Sequence, residues 1–457
     1  MSFSAPCLFL YLLRFLPFMI CLTTQRAAAR AAALWAALFL LSAPPPAWAY
    51  LDPGTGSMLL SIIVGLASSG YFFIRNLPSL MRRLLFRVQG KSAAAKCGSI
   101  VFYAESAAYW GTFEPVLCAL AAMGEKALYL TSDEKDPAFK ANLPGIEVRY
   151  IGKGNAAYTM LGFLEADVFA LTTPGIDVLQ IRRSKGVKKY VHLVHAATDA
   201  HGYKLYSFDY YDAVFCSGPH QQRSLRHLEA VRGTAPKYLP LVGCAYFDRL
   251  CEARRTKPVS MEQKTVLIAP TWGKAGLLTK TGASIPKALA LAGWHVILRP
   301  HPQSFVSEAE RIAEIEKELK DIPNIEWDRR PNGFESLSRA SVMISDFSGV
   351  VFDYAFVFER PVVTIGSGWV DEGYEAFDLP EAAWEMSVLE KIGIHLKPGE
   401  EDRVVDAAET LWRSADAYRS AICEIRSHDI VHFGAAGKPI AEELVKLAHG
   451  REEATAC

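Results

Sequence analysis

The stretch from Ser345 to Phe356, SDFSGVVFDYAF, places two serines and two aspartates between two apolar strings. SVMI precedes it and RPVVTI follows, and such strings predict strands. A helix would then start near Gly349, directly after the first strand. A helix N-terminus that is flanked by hydroxyl groups and free N–H groups binds anions, and a diphosphate suits it. We therefore predict a phosphate site made of Ser345, Asp346, Ser348, Gly349 and Asp353.

Four residues of this stretch have candidate roles of their own. Ser348 can cap the helix by accepting a backbone N–H, and Gly349 allows a close approach of another backbone. Asp346 can orient the loop by accepting backbone N–H groups, or it can hold a ribose hydroxyl. Asp353, one turn into the helix, can complement the helix dipole or reach a ligand hydroxyl. A well-capped buried helix without a ligand is the structural alternative.

The string ILRPHPQ supplies a histidine between two prolines. Val296–Leu298 ends a predicted strand, and Pro300 and Pro302 stiffen the turn because proline fixes its own φ and restricts the residue before it. The imidazole of His301 can hydrogen-bond or protonate a phosphate oxygen, and Arg299 can add a fixed positive charge. An incidental surface turn is the alternative, and we predict phosphate binding by both residues.

A further histidine lies in YVHLVHAATDAHGYK. His192 and His195 are three residues apart on a predicted strand, so they face opposite sides and do not share a metal ion. His195 falls at the strand end, where it suits a general base acting on an acceptor hydroxyl, with a core histidine as the alternative. Thr271 and Trp272, in LIAPTWGK, line the end of another strand, and the indole can stack on a base or a sugar or belong to the core.

The elements that position these residues alternate between strand and helix in two series. The first starts with SIVFYA at Ser99, and the second starts with KTVLIAPTW at Lys264. Alternation of this kind is typical of parallel sheets in α/β proteins, where ligands bind outside the carboxyl ends of the strands. We predict two Rossmann-like domains, at 97–245 and 246–457, that face each other across a cleft. The polar segment Phe247–Lys264 suits a hinge.

The first 96 residues predict membrane association. Residues 1–49 resemble a signal peptide, because arginines precede an apolar run that ends in Ala47-Trp48-Ala49. Residues 50–96 follow as a predicted transmembrane helix, Met58–Ile74, and a basic segment. The positive-inside rule then places the rest of the chain in the cytoplasm, attached to the cytoplasmic membrane.

Composition excludes one class of partner. The chain has 457 residues, with 49 basic and 49 acidic side chains, and this balance argues against nucleic-acid binding. Nine cysteines without a CxxC pair indicate reduced thiols in a cytosolic compartment. The sequence shows no metal-binding cluster. A Mg²⁺ ion on a bound diphosphate is left open, with Asp346 or Asp353 as candidate ligands.

The strings VHLVHA, YDAVFCSGPHQ, LVGCAYFDRL, VLIAPTW, ILRPHP and SVMISDFSGVVFDYAFVFERPVV resemble, in this order, the CDP-glycerol glycerophosphotransferase family of teichoic acid synthesis. HFGAAGKPIAEELVKL resembles that family's closing helix. The resemblance implies a two-domain GT-B fold and the transfer of glycerol phosphate from CDP-glycerol to a hydroxyl of a lipid-linked or cell-surface glycan, with release of CMP. His195 then matches the proposed base, His301 the histidine near the phosphates, and the SDFSGVVFD string the donor-binding residues.

Two positions depart from the family pattern. Ala196-Ala197-Thr198 replaces Gly-Thr-Pro after the first histidine, and Gly273 stands before Lys274 where a basic residue usually follows PTW directly. Both lie near the expected substrates, so the identity of donor and acceptor stays open. The alternatives are a nucleotide-sugar glycosyltransferase of the same fold, an enzyme similar to UDP-sugar epimerases, and a non-catalytic membrane scaffold.

Overall fold

The computed structural model of the protein describes residues 99–257, 264–330, 332–366 and 372–450. The predicted signal-peptide-like segment and transmembrane helix, within residues 1–96, lie outside these ranges. Among the helices of the described ranges, none is long and apolar enough to cross a membrane.

Two six-stranded sheets, parallel throughout, form the framework, as the two strand–helix series predict. The strand order of the first is β3-β2-β1-β4-β5-β6. Its strands are β1 (Ile100–Ala104), β2 (Ala127–Thr131), β3 (Ile146–Tyr150), β4 (Glu165–Leu171), β5 (Gly186–Leu193) and β6 (Ala213–Phe215). The α-helices of this part of the chain are α1 (Trp110–Ala122), α2 (Ala138–Ala141), α3 (Asn155–Leu161), α4 (Pro219–Arg232) and α5 (Tyr246–Thr256).

The second sheet has the order β12-β11-β10-β7-β8-β9. Its strands are β7 (Thr265–Ile268), β8 (His295–Leu298), β9 (Ile325–Trp327), β10 (Val342–Ser345), β11 (Val362–Ile365) and β12 (Gly393–Leu396). The helices that follow α5 are α6 (Leu277–Thr281), α7 (Ser284–Leu291), α8 (Ser304–Ser307), α9 (Ala309–Leu319), α10 (Phe334–Arg339), α11 (Val350–Phe358), α12 (Trp384–Leu389), α13 (Val404–Arg413), α14 (Ala415–Asp429) and α15 (Gly437–Ala448).

The apolar strings become central strands because both faces of each sheet are covered. Every residue of β1, β7, β10 and β11 is buried, which is the pattern of parallel strands packed on both faces. α11 is also buried along almost its whole length, and Glu359, in a left-handed conformation, ends it. The apolar run between two strands is therefore a core helix whose N-terminus emerges at the sheet edge.

Two helices join the domains in ways that the sequence did not indicate. The expected hinge Phe247–Lys264 begins instead as α5, which buries Phe247 and Leu250 and packs against both α1 and α11. The last helix, α15, packs on α1, so its apolar residues belong to the core of the first domain. The range 246–457, predicted for the second domain, thus includes a helix that covers the first sheet.

A buried ion cluster ties a loop of the second domain to the first domain. Arg232 at the end of α4 donates to Asp209 at 2.7 Å, to Asp378 at 2.8 Å and to Glu375. The backbone continues this contact, because Lys204 forms an antiparallel bridge with Tyr374. Since Glu375 and Arg232 are almost fully buried, this contact is a fixed part of the domain interface.

Candidate active site

A cavity of about 560 Å³ lies between the domains, at the carboxyl ends of both sheets. Side chains that follow β1 and β5 line it from the first domain, and side chains that follow β7, β8 and β10 line it from the second. Seven predicted site residues meet there: Thr271, His195, His301, Asp346, Ser348, Gly349 and Asp353. The cavity is where the strand-end rule places a ligand.

Asp346 organises the second domain's side of the cavity. β7 and β10 are neighbours, so the loops after them start side by side. The Asp346 carboxylate accepts the backbone N–H of Thr271 at 2.7 Å and that of Leu277 at 2.9 Å. Burial raises the pKa of Asp346, and these two hydrogen bonds oppose the rise. Asp346 therefore orients the loop after β7, one of the two roles expected for it.

The N-terminus of α11 opens into the cavity, but Ser348 does not cap it with its side chain. Gly349 is the N-cap residue, and the backbone carbonyl of Ser348 accepts the Val351 N–H at 3.1 Å. A Cβ at Gly349 would lie 3.4 Å from the Ala196 Cβ and 3.9 Å from the Thr198 Cγ2. The start of the helix thus lies against the first domain's loop after His195.

Asp353 faces the cavity from the first turn of α11. Burial raises its pKa to about 8, so at neutral pH the carboxyl keeps its proton. A neutral group cannot complement the helix dipole by charge, which removes one of the two roles predicted for it. What Asp353 offers a ligand at neutral pH is a hydrogen-bond donor.

His195 lies two residues beyond the end of β5, half-buried, with its ring edge-on to Tyr109 at 5.5 Å between centroids. Burial lowers its pKa to about 4, so the imidazole is neutral at pH 7 and can accept a proton. His192 is fully buried, with the rings of Tyr203, Phe208 and Tyr211 around it. Within the described ranges no group of three His, Cys, Asp or Glu side chains is placed to hold a metal ion.

His301 lies in the turn after β8. Its Nδ1 accepts the backbone N–H of Gln303 at 3.1 Å, so the neutral ring carries its proton on Nε2 and can donate it to an oxygen. Burial lowers the pKa of His301, and the nearby Glu308 partly offsets this. The exposed ring of Trp272 lies 6.3 Å from that of His301, tilted by 31°.

Arg299 and Ser345 have structural partners instead of places in the cavity lining. Arg299 donates to the fully buried Asp328 at 2.7 Å. Burial raises the pKa of Asp328, but hydrogen bonds from Arg330 and Ser336 hold it below its ordinary value. Ser345 donates its hydroxyl to the Ala269 carbonyl at 2.6 Å and so joins the ends of β10 and β7. The geometry does not favour the phosphate-binding role predicted for either residue.

Glu385, on α12, is a cavity residue that the sequence did not reveal. Its Oε1 accepts the backbone N–H of Asp199 at 2.8 Å, whereas Oε2 is buried without a hydrogen-bond partner among the described residues. Burial raises the pKa of Glu385 to about 8, and the neighbouring Asp199 adds to the rise. The string AAWEMS carries no catalytic signal, because only the approach of the first domain creates this environment.

Two Rossmann-like domains with a cleft site at the ends of both sheets define an α/β protein with a GT-B-like fold. Residues 224–371 match the family described as CDP-Glycerol:Poly(glycerophosphate) glycerophosphotransferase. The match includes Thr271, His301 and the whole string from Ser345 to Asp353, and it confirms the resemblance seen in the sequence. Over these residues the chain is similar to CDP-glycerol glycerophosphotransferases.

Solved structures share this fold at low sequence identity. The wall teichoic acid polymerase TagF is 16% identical, with a TM-score of 0.52, covering 85% of this chain and 99% of that one. A TagF variant soaked with CDPG gives 15% identity and a TM-score of 0.50, with the same coverage. A Methanocaldococcus jannaschii UDP-GlcNAc 2-epimerase, in complex with UDP-GlcNAc and UDP, gives 14% and 0.52, covering 76% and 99%. No curated protein matches the chain.

Proposed function

We propose that the protein transfers glycerol phosphate, or a similar polyol phosphate, from a CDP-polyol to a hydroxyl of a lipid-linked or cell-surface glycan, and releases CMP. One observation carries this proposal. His195, His301, Asp353 and the N-terminus of α11 line a single cavity between the domains. The family match supports CDP-glycerol as the donor.

His195 is the proposed general base. The acceptor hydroxyl attacks the phosphorus that bears the glycerol, the bond from this phosphorus to the bridging oxygen breaks, and CMP leaves with the bonding electrons. His195 takes the hydroxyl proton, for which its imidazole must be neutral, and burial keeps the ring neutral at pH 7 by lowering its pKa. General-base catalysis of this kind typically contributes about 10²- to 10⁴-fold to the rate.

The second domain would hold the diphosphate. Phosphoryl transfer depends mainly on positioning and on stabilisation of charge. The free N–H groups at the start of α11 and the Nε2–H of His301 are donors suited to the leaving phosphate. Asp353 and Glu385 do not repel the anion at neutral pH, because burial raises both pKa values to about 8.

Neither carboxylate that was left open as a Mg²⁺ ligand suits that role. Both oxygens of Asp346 already accept backbone N–H groups. Asp353 is protonated at neutral pH, and a protonated carboxyl is a poor ligand for a hard cation. The charge of the diphosphate is therefore assigned to the helix N-terminus and His301.

The proposed acceptor explains the membrane segment predicted from the sequence. An anchor within residues 50–96 would hold the catalytic domains at the cytoplasmic face of the membrane, next to a lipid-linked acceptor. Tethering in this way raises the effective concentration of one partner near the other. Membrane fractionation of the full chain tests this part of the proposal, and recovery in the soluble fraction contradicts it.

The test of function uses the full chain in detergent with a membrane lipid extract as acceptor. CDP-glycerol, CDP-ribitol, UDP-GlcNAc and GDP-mannose are compared by nucleotide release. We expect CMP from a CDP-polyol, strongly reduced in His195→Gln and His301→Ala and unchanged in His449→Ala, whose side chain is exposed and outside the cavity. Release of UDP or GDP without CMP contradicts the proposal and favours an enzyme acting on a nucleotide sugar, which the fold shared with the epimerase permits.

A further inference from the structure

The Oε2 atom of Glu385 is the buried polar atom of the cavity for which the proposed transfer has no use. The side chain is more than nine-tenths buried and belongs to the cavity lining. Oε1 is fixed by the Asp199 N–H, which leaves Oε2 without a partner among the described residues. Buried polar atoms in folded proteins nearly always have a hydrogen-bond partner, so a ligand group is the natural candidate here.

The surroundings of Glu385 limit what this group can be. The ion pairs of the described residues include none to Glu385, and the charged neighbour that acts on its pKa is the carboxylate of Asp199. Since burial keeps the carboxyl protonated at neutral pH and Oε1 accepts an N–H, Oε2 carries the hydrogen. A hydrogen-bond acceptor without positive charge fits this atom, and a cation does not.

Glu385 lies on the first domain's side of the cavity, since its Oε1 accepts the backbone N–H of Asp199. Thr198, Gly202 and Tyr203, from the first domain, line the cavity together with Glu385, and Tyr203 is close enough for Glu385 to influence its pKa. The helix N-terminus proposed for the diphosphate belongs to α11 of the second domain. Among the uncharged parts of the proposed substrates, the polyol offers hydroxyl oxygens as acceptors.

We propose that Glu385 binds a hydroxyl oxygen of a polyol in the cavity through Oε2, and so selects substrates that carry this hydroxyl. The inference rests on the proposed function and deepens it. The hydroxyl belongs either to the glycerol of the donor or to the terminal polyol of the acceptor, since both offer the same chemistry. Glu385 is thus a specificity-determining residue.

The test compares two pairs of substrates on the full chain. The donor pair is CDP-glycerol and its analogue without the secondary hydroxyl. The acceptor pair is a synthetic lipid that ends in glycerol phosphate and its analogue without the secondary hydroxyl. For one pair we expect the wild type to prefer the hydroxylated member about 5-fold in kcat/KM, the effect of one neutral hydrogen bond.

Three variants separate recognition from packing. Glu385→Met fills the space without a polar atom, Glu385→Asp retracts the carboxyl by one methylene group, and Glu385→Gln keeps an acceptor for the Asp199 N–H and a donor toward the cavity. We expect the methionine and aspartate variants to lose the preference and the glutamine variant to keep it. A purely structural role would lower the melting temperature or kcat/KM for both members of a pair equally and leave their ratio unchanged.

Each outcome has a definite meaning. Loss of the ratio for the donor pair or for the acceptor pair supports the proposal and identifies the source of the hydroxyl. Ratios that stay at the wild-type value for both pairs in Glu385→Asp, or in a folded Glu385→Met, overturn the proposal while the proposed function stands. Failure of the wild type to release CMP overturns the proposed function, and this inference with it.

Discussion

Replacing Asp353 by asparagine is expected to stabilise the second domain at neutral pH. The carboxyl is buried in α11, and burial raises its pKa from 3.8 to about 8. Between these two values the folded chain holds a proton that the unfolded chain releases. The free energy of unfolding of the wild type therefore falls as the pH rises from about 4 to about 8. Asparagine has nearly the same shape and no proton to release, so the variant escapes this loss.

The size of the effect follows from the shift. For each pH unit over which the folded chain holds this proton and the unfolded chain does not, the free energy of unfolding falls by about 1.36 kcal/mol. At pH 7, about three units above the ordinary pKa of an aspartate, the wild type has lost about 4 kcal/mol that the variant retains. The advantage of Asp353→Asn should shrink toward zero only below about pH 4, where the carboxyl becomes protonated in the unfolded chain as well.

Urea titration of the ligand-free chain, followed by tryptophan fluorescence, measures this prediction. The difference in unfolding free energy between variant and wild type should grow by about 4 kcal/mol from pH 5 to pH 8. The exposed Asp321, replaced by asparagine in the same way, is the matched control and should show no such growth. A difference for Asp353→Asn that is the same at both pH values would refute the reasoning.

Three further substitutions test other parts of the structure. His195→Gln should lower kcat by about 10²- to 10⁴-fold with little change in KM for CDP-glycerol. In the wild type, kcat/KM should stay level as the pH is lowered until it nears 4, because burial lowers the pKa of His195. A fall in wild-type kcat/KM with an apparent pKa near 6.5 would contradict the lowered pKa. Arg299→Met should lower the free energy of unfolding by about 3 kcal/mol, because Asp328 loses a buried partner, and it should leave the Kd of CMP in calorimetry unchanged. A large rise in that Kd without loss of stability would instead support the phosphate-binding role of Arg299. Arg232→Met should lower the free energy of unfolding by about 3 to 5 kcal/mol, because it leaves Asp209, Glu375 and Asp378 without their cation. An unaltered melting temperature would show that the cluster is not part of the interface in solution.

The sequence predicts those features that depend on the residues of a single segment. Parallel central strands are buried on both faces and are therefore apolar throughout. Strings such as those of β7 and β10 can thus be recognised as strands from their own residues. Polar residues directly after such strands gather at one sheet edge. The position after a strand therefore predicts that Thr271, His195 and Asp346 lie together, and all three line one cavity although they are far apart in the chain.

The sequence does not predict features that depend on a partner residue from another part of the chain. The partner of Arg299 is Asp328 on the neighbouring strand end, so a cation after a strand could equally face a ligand or a carboxylate. Glu385 acquires its raised pKa only when the Asp199 loop covers it. The amphipathic sequence of α15 likewise does not indicate which of two sheets its apolar side will cover.

The return of α15 to the first sheet has a consequence for the order in which the protein is made. Most chains fold their domains from the N-terminus while synthesis proceeds. Here the core of the first domain needs Ile440, Leu444 and Leu447, which emerge from the ribosome after the whole second sheet. We expect the second domain to fold first, because the first domain keeps an apolar face uncovered until α15 has been made. Chaperones that bind such faces during translation should therefore stay bound to this chain until residue 448 has left the ribosome.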